Sequence, residues 1–255
     1  MCAKILGCML KIFRTKKMSK STSSTLGAFK TPIILPVKEF DFVNQLVSTY
    51  SETNQASWYG FASAWNATAY RLRAAHEHGD DFISSIQKST SPEPNERFHQ
   101  DHNLFIFAVS AISAIECFFF AAHCFGALKD PTQFQMSKAE DLKFYPIKVH
   151  SNFQKAFPNH SLTLAMSKCL ASSEFDNLLI LRNVLAHRGT PPRLHSLGNT
   201  ADTPSAIPGN LADLASSWQY TFSLTPNCLN PYIDFLDQTI ERLIIEASGF
   251  AKQKL

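Results

Sequence analysis

The chain is poor in glycine and has no closely spaced cysteines. It contains nine glycines against 21 phenylalanines in 255 residues, and 45% of its residues are hydrophobic. Because sheets built from short strands need many glycine-containing turns, this balance favours a helix-rich core within one domain. None of the six cysteines forms a CxxC pair, which argues against zinc and suits reduced thiols in a cytoplasm. We therefore predict an all-α, cytoplasmic protein with no metal or cofactor.

Acidic residues are missing from the start of the chain. Residues 1–38 carry eight lysines and arginines and no acid, whereas the rest has 16 basic and 21 acidic residues. A mildly acidic domain should not bind nucleic acid through a broad positive surface, so any RNA contact must be local or come from the arm. We predict a disordered basic arm over 1–38 and a helical domain over 39–255. Contact of the arm with RNA or a membrane, or a true start at Met18, stays open.

Only one long apolar run, Leu104–Leu128, is compatible with a membrane span. Glu116 lies near its middle, where a carboxylate would cost about 3 kcal/mol in a bilayer, and no basic cluster flanks the run. We interpret it as a buried core helix and predict no membrane contact. Ser110, Ser113 and His123 share a stripe with Glu116. That carboxylate either is solvated, is satisfied by hydroxyls, or meets an arginine from another helix.

Prolines and glycines divide the domain into predicted helices. Gly79 is expected to end one helix and Asn95 to cap the long apolar one. A proline-rich loop is predicted over 189–209, followed by an extended segment over 218–224. The predicted helical segments are residues 39–50, 52–78, 80–88, the long helix from residue 95, 138–142, 149–157, 161–170, the helix that opens at 172–176 and ends at Gly189 and Pro191, and 232–252.

The best clue to function is the sequence from Arg182 to Gly189, at the end of one of these helices. Asn183 and His187 share a helical face, whereas Arg182 lies about 7.5 Å along the axis and about 140° around it from His187. Two such helices packed across a two-fold axis would bring the arginines and histidines into one cleft. Spacing alone is not specific, since an apolar residue or glycine follows the arginine in Arg71/His76, Arg73/His78, Arg97/His102 and Arg188/His195.

These residue types suit metal-free cleavage of RNA, in which the 2′-hydroxyl attacks the adjacent phosphorus. Arg182 can stabilise charge on the phosphorane, and His187 can act as general acid or base near neutral pH. Asn183 would orient the phosphate or the imidazole. The flanking candidates are Glu116 and Arg188 as supporting residues, with Glu116 holding Arg182 in place, and Arg193 and His195 as contacts to the substrate.

One predicted helix ends in Arg182-Asn183-x-x-x-His187. A long helix with an embedded glutamate precedes it, and a terminal helix follows it. This arrangement resembles the HEPN superfamily of all-α domains. The resemblance covers residues 39–252, and its specific part is the six-residue motif. It implies an antiparallel helical bundle, here with additional short helices and a long proline-rich loop. It also implies a metal-independent endoribonuclease, an RNA substrate, a homodimer, and a toxin or antiviral defence role, in some members with a nucleotidyltransferase antitoxin.

The same residues have an alternative interpretation without catalysis. Arg182 can pair with a buried carboxylate, Asn183 can bridge helices, and His187 can bond a neighbouring helix end. The chain would then be a non-catalytic HEPN-like module that binds nucleotide or RNA, or a helical protein-interaction module. The loop at 189–209 and the segment at 218–224 are longer than a compact member of the superfamily needs, and fold alone does not establish activity.

Overall fold

The structure is a computed structural model that describes residues 35–52, 54–88, 92–136, 145–187 and 227–253. This part of the chain forms seven helices and no strand, which confirms the predicted all-α class there. The predicted helix at 138–142, the loop at 189–209, the extended segment at 218–224 and the arm up to residue 34 lie outside it. The helices are α1 (Val37–Ser48), α2 (Gln55–Lys88), α3 (Pro94–Lys129), α4 (Pro146–Ala156), α5 (Ser161–Leu170), α6 (Ser173–His187) and α7 (Asn230–Lys252).

The two longest helices, α2 and α3, pack side by side along most of their length. Early residues of α2 meet late residues of α3, as in the ring contact of Trp65 with Phe118 at 5.8 Å. Late residues of α2 meet early residues of α3, where Gln100 Nε2 donates to the Ser85 carbonyl at 3.2 Å. The pair is therefore an antiparallel hairpin.

Helix α3 is the core helix of the described part of the chain. Other helices surround it, since α2, α4, α6 and α7 all pack against it. It also has the length and composition of a membrane span, with a mean hydropathy of 2.2 over its most apolar window. However, 61% of that window is buried inside the protein, as expected of a helix at the centre of a bundle.

Several predicted helix boundaries differ from the structure. The bounds of α1 and the starts of α4 and α7 lie two or three residues earlier than predicted. Gly79 does not end a helix, because α2 continues through it to Lys88. It is buried, and an added Cβ would lie 3.2 Å from Phe107 and 3.3 Å from Ile233, so the glycine allows close packing rather than a left-handed cap. The long helix begins at Pro94, one residue before the predicted cap at Asn95.

The start of α3 is stabilised by a reciprocal contact of the capping-box type. The Glu96 carboxylate accepts a hydrogen bond from the Glu93 backbone N–H at 3.3 Å, and Pro94 occupies the first turn, where its missing N–H costs nothing. Two predicted short helices are confirmed. Helix α5 spans Ser161–Leu170 as predicted, and α4 spans Pro146–Ala156 where 149–157 was predicted.

Phenylalanines join α3, α4 and α7 at one end of the bundle. Phe125 and Phe153 pack edge-on against Phe250 with ring centroids 5.2 and 5.5 Å away. Lys129, the last residue of α3, lies 4.6 Å from the Phe250 ring centroid and donates to the Gln253 carbonyl at 2.7 Å. The lysine thereby satisfies a carbonyl just beyond the end of α7 and links the ends of the two helices.

Candidate active site

Helix α6 carries the predicted catalytic residues and begins where its sequence predicts. The Ser172 hydroxyl accepts a hydrogen bond from the Phe175 N–H at 3.1 Å, which is an N-terminal cap. The apolar face of Phe175, Leu178 and Leu181 is buried, and α6 packs chiefly against α3. This packing fixes the rotation of α6, so that the following polar residues come to the edge of its contact with α3.

Arg182 lies at this edge and contacts Glu116 of α3. Its Nη2 is 3.3 Å from Glu116 Oε1, and the side chains of Arg182 and Glu116 are 27% and 39% exposed. The Arg182 Nε is buried and has no hydrogen-bond partner among the described residues. The contact predicted between Glu116 and an arginine of another helix is therefore present. The exposed part of the Arg182 side chain, and not its buried Nε, can meet a further acceptor.

Burial controls the electrostatics of this pair. It raises the pKa of the Glu116 carboxyl above its ordinary value, and the Arg182 charge opposes that rise. The contact is long for a charge-assisted hydrogen bond, which commonly measures about 2.7–2.9 Å. Glu116 thus holds Arg182 by a single, partly solvated contact rather than by a bidentate clamp.

The polar stripe predicted along α3 divides into two parts. Ser110 and His123 lie in the core with 3% and 1% exposure, and His123 Nε2 is 3.4 Å from the Gln135 carbonyl. Ser113 and Glu116 are half-buried instead. The cause is the position of α3, because neighbouring helices cover all but a narrow strip of its surface. Only that strip is available to a functional site.

The other predicted residues are only partly brought together. Asn183 is half-buried, and His187 is exposed in the last turn of α6. Since α6 is continuous, Arg182 and His187 keep the separation of about 7.5 Å along the axis and about 140° around it that five helical residues impose. One subunit alone therefore does not converge the two groups, although both retain contact with solvent. Arg188, Arg193 and His195 lie outside the described residues.

Arg71 of α2 is a neighbour of this site that sequence reasoning missed. Its charge acts on Cys117, which is half-buried beside Glu116, and opposes the rise that burial causes in the pKa of the Cys117 thiol. Only the register of α2 against α3 could reveal this proximity, since Arg71 and Cys117 are far apart in sequence. Helical periodicity gives the faces of each helix but not that register.

Within the described ranges, no group of three or more histidine, cysteine, aspartate or glutamate side chains is placed to hold a metal ion. A groove of about 930 Å³ runs between α5 and α7, and none of the candidate residues lines it. Comparisons of the chain with protein-family models, curated proteins and solved structures find no match. The residues of the chain itself are therefore the only basis for a functional proposal.

Proposed function

We propose that this protein is a metal-independent endoribonuclease that cleaves RNA by 2′-hydroxyl transesterification. Its site would be a composite of Arg182, Asn183 and His187 from two copies of α6. One observation carries the proposal: Glu116 holds Arg182 through Nη2 alone, at 3.3 Å, while the Arg182 side chain keeps 27% exposure. An arginine placed in this way can donate hydrogen bonds to a phosphate without first breaking a bidentate ion pair.

The proposed reaction forms a bond between the 2′-oxygen and phosphorus and breaks the bond from phosphorus to the 5′-oxygen. His187 transfers a proton, either from the attacking hydroxyl or to the leaving oxygen, and solvent completes the other transfer. Arg182 stabilises the negative charge that builds on the non-bridging oxygens, and Asn183 orients the phosphate or the imidazole. The products are a 2′,3′-cyclic phosphate and a 5′-hydroxyl.

A homodimer is part of the proposal, because Arg182 and His187 do not converge within one subunit. In a two-fold dimer with the α6 helices facing, Arg182 of one subunit would approach His187 of the other. The arrangement would be that of a HEPN-like bundle in the cytoplasm. The resemblance of the motif also supports a role as a toxin or antiviral defence effector, with a nucleotidyltransferase-type antitoxin as a partner.

The ion pair of Arg182 with Glu116 also favours a second candidate. An arginine that joins α6 to α3 through a carboxylate can serve the fold alone. The protein would then be a HEPN-like module that binds RNA or nucleotide without cleaving it, or a helical protein-interaction module. The two candidates differ in whether Arg182 and His187 are needed for a chemical step.

The test is incubation of the purified full chain with RNA in excess chelator, together with the Arg182→Ala and His187→Ala variants. The proposal predicts cleavage by the wild type, 2′,3′-cyclic phosphate ends, and a loss of roughly a hundredfold or more in each variant. Arg73→Ala is the matched control, because Arg73 also forms an ion pair with a glutamate, Glu77 at 2.6 Å, but this exposed pair lies on α2 and not on α6. Saturable RNA binding without cleavage would favour the second candidate.

A further inference from the structure

A strip of α3 remains uncovered between α2 and α6, which both pack on α3 and scarcely touch each other. Ser113, Glu116 and Cys117 are half-buried on this strip. With 3.6 residues per turn, Cys117 lies about 40° to one side of Ser113, and Glu116 lies about 60° to the other. Because Glu116 contacts Arg182, the Glu116 side of the strip faces α6, and the Cys117 side faces α2. The strip is thus the floor of a shallow channel.

Arg71 is on the α2 side of this channel. The register of the hairpin is fixed by Trp65 against Phe118 and by Gly79 against Phe107. Arg71 lies between these two contacts, and antiparallel counting sets it opposite residues 112–115, within about a turn of Cys117. Its charge acts on the Cys117 thiol, in agreement with that position. One guanidinium therefore flanks the strip from α2 and another, Arg182, from α6.

Arg71 has no role in the core that would explain its position. It is exposed, and its guanidinium lies 5.9 Å from the centroid of the exposed Tyr70 ring. It has no ion pair with another described residue, whereas Arg73 is paired with Glu77 and Arg97 lies 3.8 Å from Asp101. The carboxylate nearest to it on the strip, Glu116, is already engaged by Arg182. Among the described residues, two guanidinium groups, those of Arg71 and Arg182, therefore flank one carboxylate, that of Glu116.

We propose that Arg71 binds an RNA phosphate next to the scissile one and so directs a single strand across the strip of α3. This inference rests on the proposed function and adds a substrate-positioning residue from a second helix. An exposed arginine with free N–H donors is well suited to a phosphate, which it can bind bidentately. Such a contact explains how a mildly acidic domain could hold RNA at one place without a broad basic surface.

The experiment measures binding of a 5′-labelled single-stranded RNA oligonucleotide to the full chain carrying His187→Ala, which prevents turnover. Adding Arg71→Gln should raise the Kd roughly tenfold at low salt, the order expected for one hydrogen bond to a charged group. It should also reduce the slope of log Kd against log salt by about one. Arg71→Lys should keep that slope while losing part of the affinity, and Arg73→Gln should change neither.

Each outcome separates this inference from the proposed function. If the wild type cleaves RNA in chelator and Arg71→Gln alters neither affinity nor salt slope, the Arg71 contact is wrong and the nuclease proposal stands. If Arg71-dependent binding occurs without cleavage, the Arg71 contact stands and the nuclease proposal is wrong. Equal losses of RNA affinity in Arg71→Gln and Arg73→Gln would show that only the total charge of the protein matters, which would overturn the inference. Absence of both binding and cleavage would overturn both.

Discussion

At the scale of single residues, Glu116 matters through the position that it gives Arg182. A half-exposed pair 3.3 Å apart contributes at most about 1 kcal/mol to stability. A displaced guanidinium is more costly to catalysis, because an error of about 1 Å can slow a reaction roughly a hundredfold. Glu116→Gln should therefore reduce the rate of RNA cleavage ten- to a hundredfold, while the unfolding free energy changes by less than about 1 kcal/mol.

Single-turnover cleavage and urea unfolding of the same preparations check this prediction. Glu77→Gln is the control, since it breaks an exposed arginine–glutamate pair that lies within α2. Cleavage by Glu116→Gln at the wild-type rate would show that Glu116 does not position Arg182. A large decrease in the unfolding free energy of Glu116→Gln would show instead that Glu116 mainly stabilises the fold.

His76 makes a residue-scale prediction about pH. Its Nε2 is 2.6 Å from Asp237 Oδ1, which joins α2 to α7. This hydrogen bond, with the charges of Asp237 and Asp80, raises the pKa of His76 above its ordinary value, although burial opposes the rise. Because the folded pKa exceeds the unfolded one, the stabilisation is complete below the unfolded value of about 6.5 and disappears as pH rises through the folded value.

The free-energy difference between wild type and His76→Gln should thus be largest near about pH 6 and decrease towards about pH 9. Urea unfolding at a series of pH values measures it. His99→Gln, at an exposed position on α3, provides the comparison. A difference that does not change across this range would contradict the assigned role of the charged histidine.

At the scale of helices, Gly79 shows why some helix ends cannot be predicted from a single sequence. A glycine after a periodic apolar segment commonly ends a helix, which is the prediction made for Gly79. The structure instead places it in a close contact of α2 with Phe107 and Ile233. The two roles differ only in what lies across the interface, and a single sequence does not contain that information. The cap at Ser172 is local, and the local pattern predicted it there, whereas α3 is capped at Glu93, two residues before the predicted cap at Asn95.

Two other helical glycines differ in the space around them, and substitution by alanine should therefore have opposite effects at the two positions. At Gly126 of α3 an added Cβ would lie 2.7 Å from the Phe134 ring, whereas at Gly249 of α7 the nearest atom is 4.0 Å away. Gly126→Ala should lower the unfolding free energy by about 1–3 kcal/mol through overpacking. Gly249→Ala should raise it by about 0.5–1 kcal/mol, because alanine is the better helix former.

Chemical denaturation of the two variants beside the wild type tests both signs together. The Gly249 variant acts as the internal control, since it makes the same substitution in a helix where space is available. If both changes stabilise the protein, the close packing of Gly126 against Phe134 is wrong. If both destabilise it, the open surroundings of Gly249 are wrong.

At the scale of the whole molecule, composition was sufficient for the all-α class of the described residues. The apolar helix around the half-buried Glu116 has 61% of its most apolar window buried, as a core helix should. The pairing of Glu116 with an arginine was also foreseeable, because a carboxylate inside an apolar helix needs a partner. Arg71 was not foreseeable, since its place depends on the register of α2 against α3. The second subunit stays a prediction, made from the resemblance and from helix geometry, because five helical residues separate Arg182 from His187 on different sides of α6.

The most direct test of the composite site is co-expression of the Arg182→Ala and His187→Ala chains, with RNA cleavage in chelator as the readout. Each variant alone should be inactive. Mixed dimers would present one intact Arg182–His187 pair, so the mixture should recover roughly a tenth to a quarter of the wild-type rate. If the co-expressed chains form dimers and cleave RNA no faster than either variant alone, the arginine and histidine of facing subunits do not share a catalytic site.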